Sequence, residues 1–304
     1  MLSHDIKRYV DLKRTMGYKF HTQYSLLKLF GKFSAERGDR VVLTQSAIEW
    51  AGLAPSPPQR HNRLATVRRF ALAMHAEDPR HEVPPADVFG REWFKRRTPY
   101  IYTSEEIIGL IIAAARLLPR NSIRAASYST LFGLLAATGL RVSEALALQV
   151  EDLTDDGLLI RKTKFKKSRL VVLHATTRHA LDRYLIYRAK IGAPTSALFV
   201  SVDGSALSYP CVNRTFLQLA RSIGLRAGLG HPGPRLHQLR HTFAARSLAQ
   251  CGGSREEVAR HITALSTYLG HARASGTYWY LESTTGLMQH VARAAEALYT
   301  GEPS

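Results

Sequence analysis

Residues Thr138-Gly139-Leu140-Arg141-Val142-Ser143-Glu144-Ala145-Leu146-Ala147-Leu148 place an arginine just past a glycine break, at the start of a new short helix. Glycine accepts the left-handed backbone that closes a helix, and an arginine mounted on such a break can be held rigidly. Taken alone, the segment also fits a surface arginine capped by Glu144.

Working outward from this break, the chain divides in two. Upstream, Thr103 and Glu106 form a capping box, Ser/Thr followed three residues later by Glu, that restarts helical periodicity. Two apolar helices follow, over about 104–118 and 122–138. Downstream, Gly157 to Lys162 and Arg169 to Leu173 are β-rich runs flanking a basic turn, Lys164-Phe165-Lys166-Lys167-Ser168, and predict a hairpin. Helices are expected at 176–190, 209–223, 237–250 and 255–266, with a candidate short strand at Ala197–Val200 and a closing amphipathic helix at 286–299.

The first 80 residues show helical stripes and no strand pattern. Ile6, Tyr9, Val10, Leu12 and Met16 lead to Gly17; Tyr24, Leu27, Phe30 and Phe33 lead to Gly38; Thr44 and Pro57 open two more helices, the last ending near Ala76. From Asp78 to Thr98, with Pro79, Pro84, Pro85 and Pro99 close by, periodicity lapses and a linker is expected. The fold class is therefore mostly α with a small β-sheet (α+β): a helical domain over 1–98 with its linker from about 78, a second domain over 99–285, and a C-terminal helix and tail over 286–304. No internal repeat is found.

Composition narrows the partner. Lys and Arg number 42 against 24 Asp and Glu, a formal charge of +18, and polyanions are the natural partners of such a chain. The excess is shared: residues 1–102 carry 18 basic and 10 acidic side chains, and residues 103–304 carry 24 and 14. A neutral enzyme with a basic tail is disfavoured by that spread, although a merely basic soluble protein remains compatible with it. Cys211 and Cys251 stand 40 positions apart outside any zinc spacing, so neither a disulfide framework nor a zinc site is expected. The N-terminus lacks the apolar stretch of a signal peptide, and the longest apolar run, Leu131 to Leu140, is too short for a bilayer span. A cytoplasmic location without membrane contact is the expectation.

Two further clusters carry candidate chemistry. In His237-Gln238-Leu239-Arg240-His241, a proton carrier and a cation sit three apart, on one helix face; alone, this is also a solvated or interface cluster. In Tyr268-Leu269-Gly270-His271, Gly270 ends a helix and presents His271 on a turn, and nine positions later comes Tyr278-Trp279-Tyr280. These aromatics, taken alone, also fit core packing.

The joint order of these pieces, Arg, hairpin Lys, His-x-x-Arg, Gly-His, Tyr, resembles the tyrosine recombinase or phage-integrase family of the Xer and Cre type. The wording TGLRVSEALAL, LHQLRHTFA and LGHARASGTYWYLE carries the resemblance, from about Thr103 to Tyr280. It implies a helical N-terminal core-binding domain and a tyrosine-recombinase catalytic domain, with Arg141, Lys164, His237, Arg240 and His271 as catalytic residues, Tyr280 as the nucleophile and Glu144 in support of Arg141. It further implies double-stranded DNA as substrate, no metal or cofactor, and a homotetramer on DNA through the C-terminal helix. Three departures stand out. Thr163-Lys164-Phe165 replaces the usual Gly-Lys-Gly, so Lys162, Lys166 or Lys167 compete for the lysine's role. Gln238 stands where a carboxylate is common, and the stretch around Gly252 and Gly253 is enlarged. Tyr278 competes with Tyr280, but the family's spacing of nine from the Gly-His histidine selects Tyr280. A type IB topoisomerase-like nicking-closing enzyme and an inactive DNA-binding regulator are the alternatives, and the Tyr-Trp-Tyr-Leu wording resembles members found on mobile elements, hence integration or transposition. Only 102 residues precede the restart at Thr103, so the added arm-binding domain of lambda-type integrases is not expected.

Overall fold

The computed structural model describes residues 2–90, 99–120, 122–161, 168–228, 231, 233–251 and 255–270. Lys164 and its neighbours Lys162, Lys166 and Lys167, the loop at Gly252 and Gly253, His271, Tyr278, Tyr280 and the closing helix lie outside the described residues. The chain forms two compact units, Met1–Arg97 and Thr98–Ser304.

Among its described residues, unit 1 has four helices: α1 (Leu2–Thr15), α2 (His21–Glu36), α3 (Thr44–Gly52) and α4 (Pro57–His75). Their stripes meet in a core around Leu27, Phe30, Val67 and Phe70, each 0% exposed. Aromatic edges lock it, Tyr9 to Phe70 at 5.4 Å and Phe30 to Trp50 at 5.5 Å between centroids. The stretch after α4, expected as linker, is tied down through residue 89. The Val42 amide donates to His81 Nδ1 (3.1 Å), the Glu82 amide to the Val42 carbonyl (2.8 Å), and the Thr44 amide to the Glu82 carboxylate (2.6 Å), while Phe89 packs on the core. Periodicity missed this because single anchors, rather than a repeating stripe, hold the segment.

Unit 2 opens on the expected capping box. The Glu106 amide donates to Thr103 Oγ1 (3.2 Å) and the Thr103 amide to Glu106 Oε2 (2.9 Å), starting α5 (Ser104–Ala115), which ends three residues before its expected limit. Next comes α6 (Ile123–Thr138), buried on several faces through Tyr128, Leu131, Phe132, Leu134 and Leu135. A helix apolar around most of its circumference belongs at the centre of a domain, and α8 (Ala175–Lys190), α9 (Tyr209–Ser222) and α10 (Gln238–Ala249) complete the same unit. Between α6 and α8 lie a short α7 (Val142–Ala147) and an antiparallel sheet of β1 (Leu153–Thr154), β2 (Gly157–Ile160) and β3 (Arg169–Val171) in the order β1-β2-β3. The hairpin register pairs Leu158 with Val171 and Ile160 with Arg169. The candidate strand at Ala197–Val200 is reduced to isolated bridges, Gln149 to Ala197 and Val200 to Ala206. The last described helix, α11 (Arg255–Leu269), runs three residues past its expected end and packs on α10 through Leu248, Ile262, Leu265 and Leu269. Among the described residues, no helix is long and apolar enough to cross a membrane.

Candidate active site at the end of helix α11

Four segments of unit 2 converge where α11 stops. Gly270 takes φ +67° and ends the helix as its sequence position predicts. The last carbonyls of any helix lack intrahelical partners and carry its negative pole. Here three successive ones each receive a guanidinium: Arg169 Nε donates to the Tyr268 carbonyl (2.8 Å), Arg240 Nη2 to that of Leu269 (2.8 Å) and Arg141 Nη2 to that of Gly270 (3.2 Å).

Each arginine reaches this point from a different element. Arg141 caps α7 just beyond Gly139, whose φ of +61° turns the chain off the end of central α6. A Cβ at Gly139 would sit 2.5 Å from the Phe243 ring and 3.1 Å from Leu269, so space as well as conformation demands glycine. Arg240, in the first turn of α10, is 2% exposed and its Nη1 donates to the Gly139 carbonyl (2.8 Å), pinning the glycine break to the end of α11. Arg169 rises from β3.

Glu144 is the carboxylate of the cluster. It accepts from Arg141 Nη1 (2.7 Å), from the Arg141 amide (3.0 Å) and from Arg169 Nη1 and Nη2 (3.2 and 2.9 Å). Burial works against its charge, but the bonds from Arg169 and Arg141 outweigh that and hold the carboxyl at about 2. The local arrangement of a capped arginine is thus real, and it is extended by a second guanidinium that the sequence did not single out.

His237 caps α10 one turn before Arg240 and lies edge-on to His241, centroids 5.0 Å apart. Its ring keeps an exposed face, yet the surrounding protein crowds it. Desolvation first, then the charges of Arg240 and Arg141, push its pKa below 6.5, so the imidazole is neutral near pH 7. Of the residues expected at the site, Arg141, Glu144, His237 and Arg240 are therefore brought together, whereas Lys164, His271 and Tyr280 lie outside the described residues.

The phage integrase family model matches residues 103–286, a span that contains all seven. The chain belongs to the phage integrase family. With that family comes its class, the tyrosine-type site-specific recombinases. The chain is 36% identical over 301 residues, 96% of each chain, to y4rB of Sinorhizobium fredii, described as an integrase/recombinase. It is 30% identical over 201 residues to the tyrosine recombinase XerD of Mycobacterium tuberculosis, covering 64% of this chain and 60% of that one. Among solved structures its fold is similar to a lambda integrase dimer bound to a COC′ core site (TM-score 0.64, 18% identity, 93% of this chain and 77% of that one). A similar likeness holds for the Tn1549 transposon integrase in complex with circular intermediate DNA (TM-score 0.62, 17% identity, 95% and 98%).

Among the described residues at this spot, three guanidiniums balanced by one carboxylate and a neutral imidazole leave an excess of positive charge. Guanidiniums stay ionised at any working pH and offer planar donor forks suited to phosphate oxygens. Arg169 went unremarked in the sequence because its partners are 25 and 99 positions away. The available signal was an arginine at a β3 position whose alternation calls for an apolar side chain.

Proposed function

We propose that this chain is a site-specific DNA recombinase that cleaves and rejoins strands through a covalent bond between Tyr280 and a 3′-phosphate. The phenol oxygen attacks the phosphorus and the bond to the 5′ oxygen breaks. His237 takes the phenol proton, and Lys164 donates one to the departing oxygen. Arg141 and Arg240 offset the added charge of the pentavalent transition state, and His271 hydrogen-bonds the phosphate. The phosphotyrosine keeps the energy of the broken bond, so a 5′-hydroxyl of another strand reverses the step without ATP. Lys and Arg side chains of both units supply phosphate contacts on double-stranded DNA and a steep salt dependence. Residues 286–299, with the apolar stripe Leu287, Val291, Ala294, Ala295 and Leu298, dock into a neighbouring protomer of a tetramer.

The convergence of Arg141, Arg240 and neutral His237 at the end of α11 carries this reading, because the chain continues from there directly into His271 and then Tyr280. A nicked suicide substrate tests it. Covalent adduct is expected in EDTA without ATP, with the adduct mapping to Tyr280, absent in Tyr280→Phe and retained in Tyr278→Phe. An adduct on Tyr278, or cleavage that needs magnesium, would overturn the assignment.

A further inference from the structure

Strand alternation puts Arg169 and Val171 on one face of β3 and Leu170 on the other. Val171 is fully buried and Leu170 is 44% exposed, so Arg169 points inward, its side chain only 12% exposed. Burying a guanidinium costs several kcal/mol unless it is fully paired, and this one is paired on each side. Its Nη atoms span both oxygens of Glu144, and its Nε holds the Tyr268 carbonyl. The fit extends to Gly270, where a Cβ would lie 2.7 Å from Arg169 Nη1. Glu144 in turn holds both the guanidinium and the amide of Arg141. Arg169 also opens β3, paired with Ile160 at the point where the chain returns from the basic turn.

We propose that Arg169 is a positioning residue for DNA cleavage: it fixes Glu144, and through it the Arg141 guanidinium, while tying the base of the hairpin to the Tyr268–Gly270 turn. The inference rests on the reading of Arg141 as a phosphate-binding residue. A point charge on a flexible stem cannot replace it, because three acceptors in two directions require the planar fork.

The test measures covalent-adduct formation at saturating protein on a suicide substrate, beside DNA affinity and thermal unfolding of the full chain. Arg169→Met is expected to slow adduct formation about 10²-fold, the scale of misplacing a catalytic group by roughly an ångström, with DNA affinity unchanged. Arg169→Lys should recover little of the loss. Combined with Glu144→Gln, Arg169→Met should slow the reaction no further than the worse single variant, since both act through one contact network. A methylphosphonate at the scissile position lacks the charge that Arg141 neutralises, so the deficit of Arg169→Met should narrow on it. A purely structural defect would leave the same deficit on both substrates. Wild-type rates in Arg169→Met, equal deficits on the two substrates, or independent multiplication with Glu144→Gln would each overturn the proposal. If Arg169→Met does not fold, Arg169→Lys and Glu144→Gln on the two substrates give the same comparison. Arg141→Ala separates the two levels: wild-type cleavage by that variant sinks the phosphate-site reading, whereas a defective Arg141→Ala beside a normal Arg169→Met sinks only the positioning role.

Discussion

Helices α4 and α11 end in contrasting ways. At α4, Phe70, Ala71 and Met74 are buried in an apolar core, and the Met74 carbonyl is capped by the amides of Glu77 and Asp78, its own neighbours in sequence. At α11, the corresponding carbonyls are taken by guanidiniums from residues 141, 169 and 240. A local cap stabilises one helix. A cap assembled from three distant segments fixes those segments to one another and concentrates positive charge in a single place. Unit 1 is held by packing at that point, and unit 2 by a charge cluster whose chemistry suits an anion.

The sharpest way to break this contrast is to remove a guanidinium from the α11 end. Arg240→Ala is expected to lower cleavage by at least about 10²-fold, roughly the loss of one preorganised donor to a developing anion. It should also destabilise unit 2, because the buried Gly139 and Leu269 carbonyls each lose a donor at roughly 1–3 kcal/mol apiece. Suicide-substrate cleavage and urea unfolding, run in parallel, read the two effects. A stable variant with normal cleavage would remove the cluster from the mechanism.

Gly139→Ala perturbs the same end more gently. A left-handed backbone and a Cβ 2.5 Å from the Phe243 ring are together expected to cost roughly 1–3 kcal/mol, seen as a lower urea midpoint. An unchanged midpoint would show that the glycine break is not a fixed point.

The smallest effect belongs to unit 1. His81, 4% exposed, accepts the Val42 amide through Nδ1, and burial pushes its pKa below 6.5, with Asp5 and Asp78 partly opposing. Folding therefore favours the neutral ring. Stability is full above 6.5 and declines as pH falls through 6.5 toward the folded-state value, because the unfolded chain then binds a proton the folded chain excludes. The slope is at most about 1.4 kcal/mol per pH unit. Urea unfolding followed by Trp50 fluorescence, with Trp93 and Trp279 replaced by Phe, should show a lower midpoint at about pH 5.5 than at about pH 7. Equal midpoints would remove His81 from the account.

What the sequence made legible follows the same divide. Elements announced by neighbouring residues were readable: the Thr103–Glu106 box, the glycine stops at 139 and 270, and the hairpin around the basic turn all carry local signals. The clustering of Arg141, Glu144, His237 and Arg240 was reached through motif order. Arg169 was not, since nothing within β3 reports a carboxylate 25 residues upstream. β1, two residues long, is too short to show alternation, and α11 outran its expected end because no breaker lies between residues 266 and 270. The segment after α4 escaped for the same reason as Arg169: His81 is anchored to Val42, 39 positions away.

Among the described residues, the Gly270 carbonyl is the last backbone group that a guanidinium holds, and Tyr280 lies ten residues further along the chain. Even fully extended, ten residues span at most about 33–36 Å, and as a helix about 15 Å. Whatever path the chain takes, the Cα of Tyr280 is tethered within that radius of Gly270, whose carbonyl Arg141 holds. A tether of this length corresponds to an effective concentration in roughly the millimolar range. In the proposed reaction Tyr280 would thus be held at high local concentration with respect to the charge cluster of its own chain, and the rate of attack would depend on tether geometry rather than on how much protein is in solution.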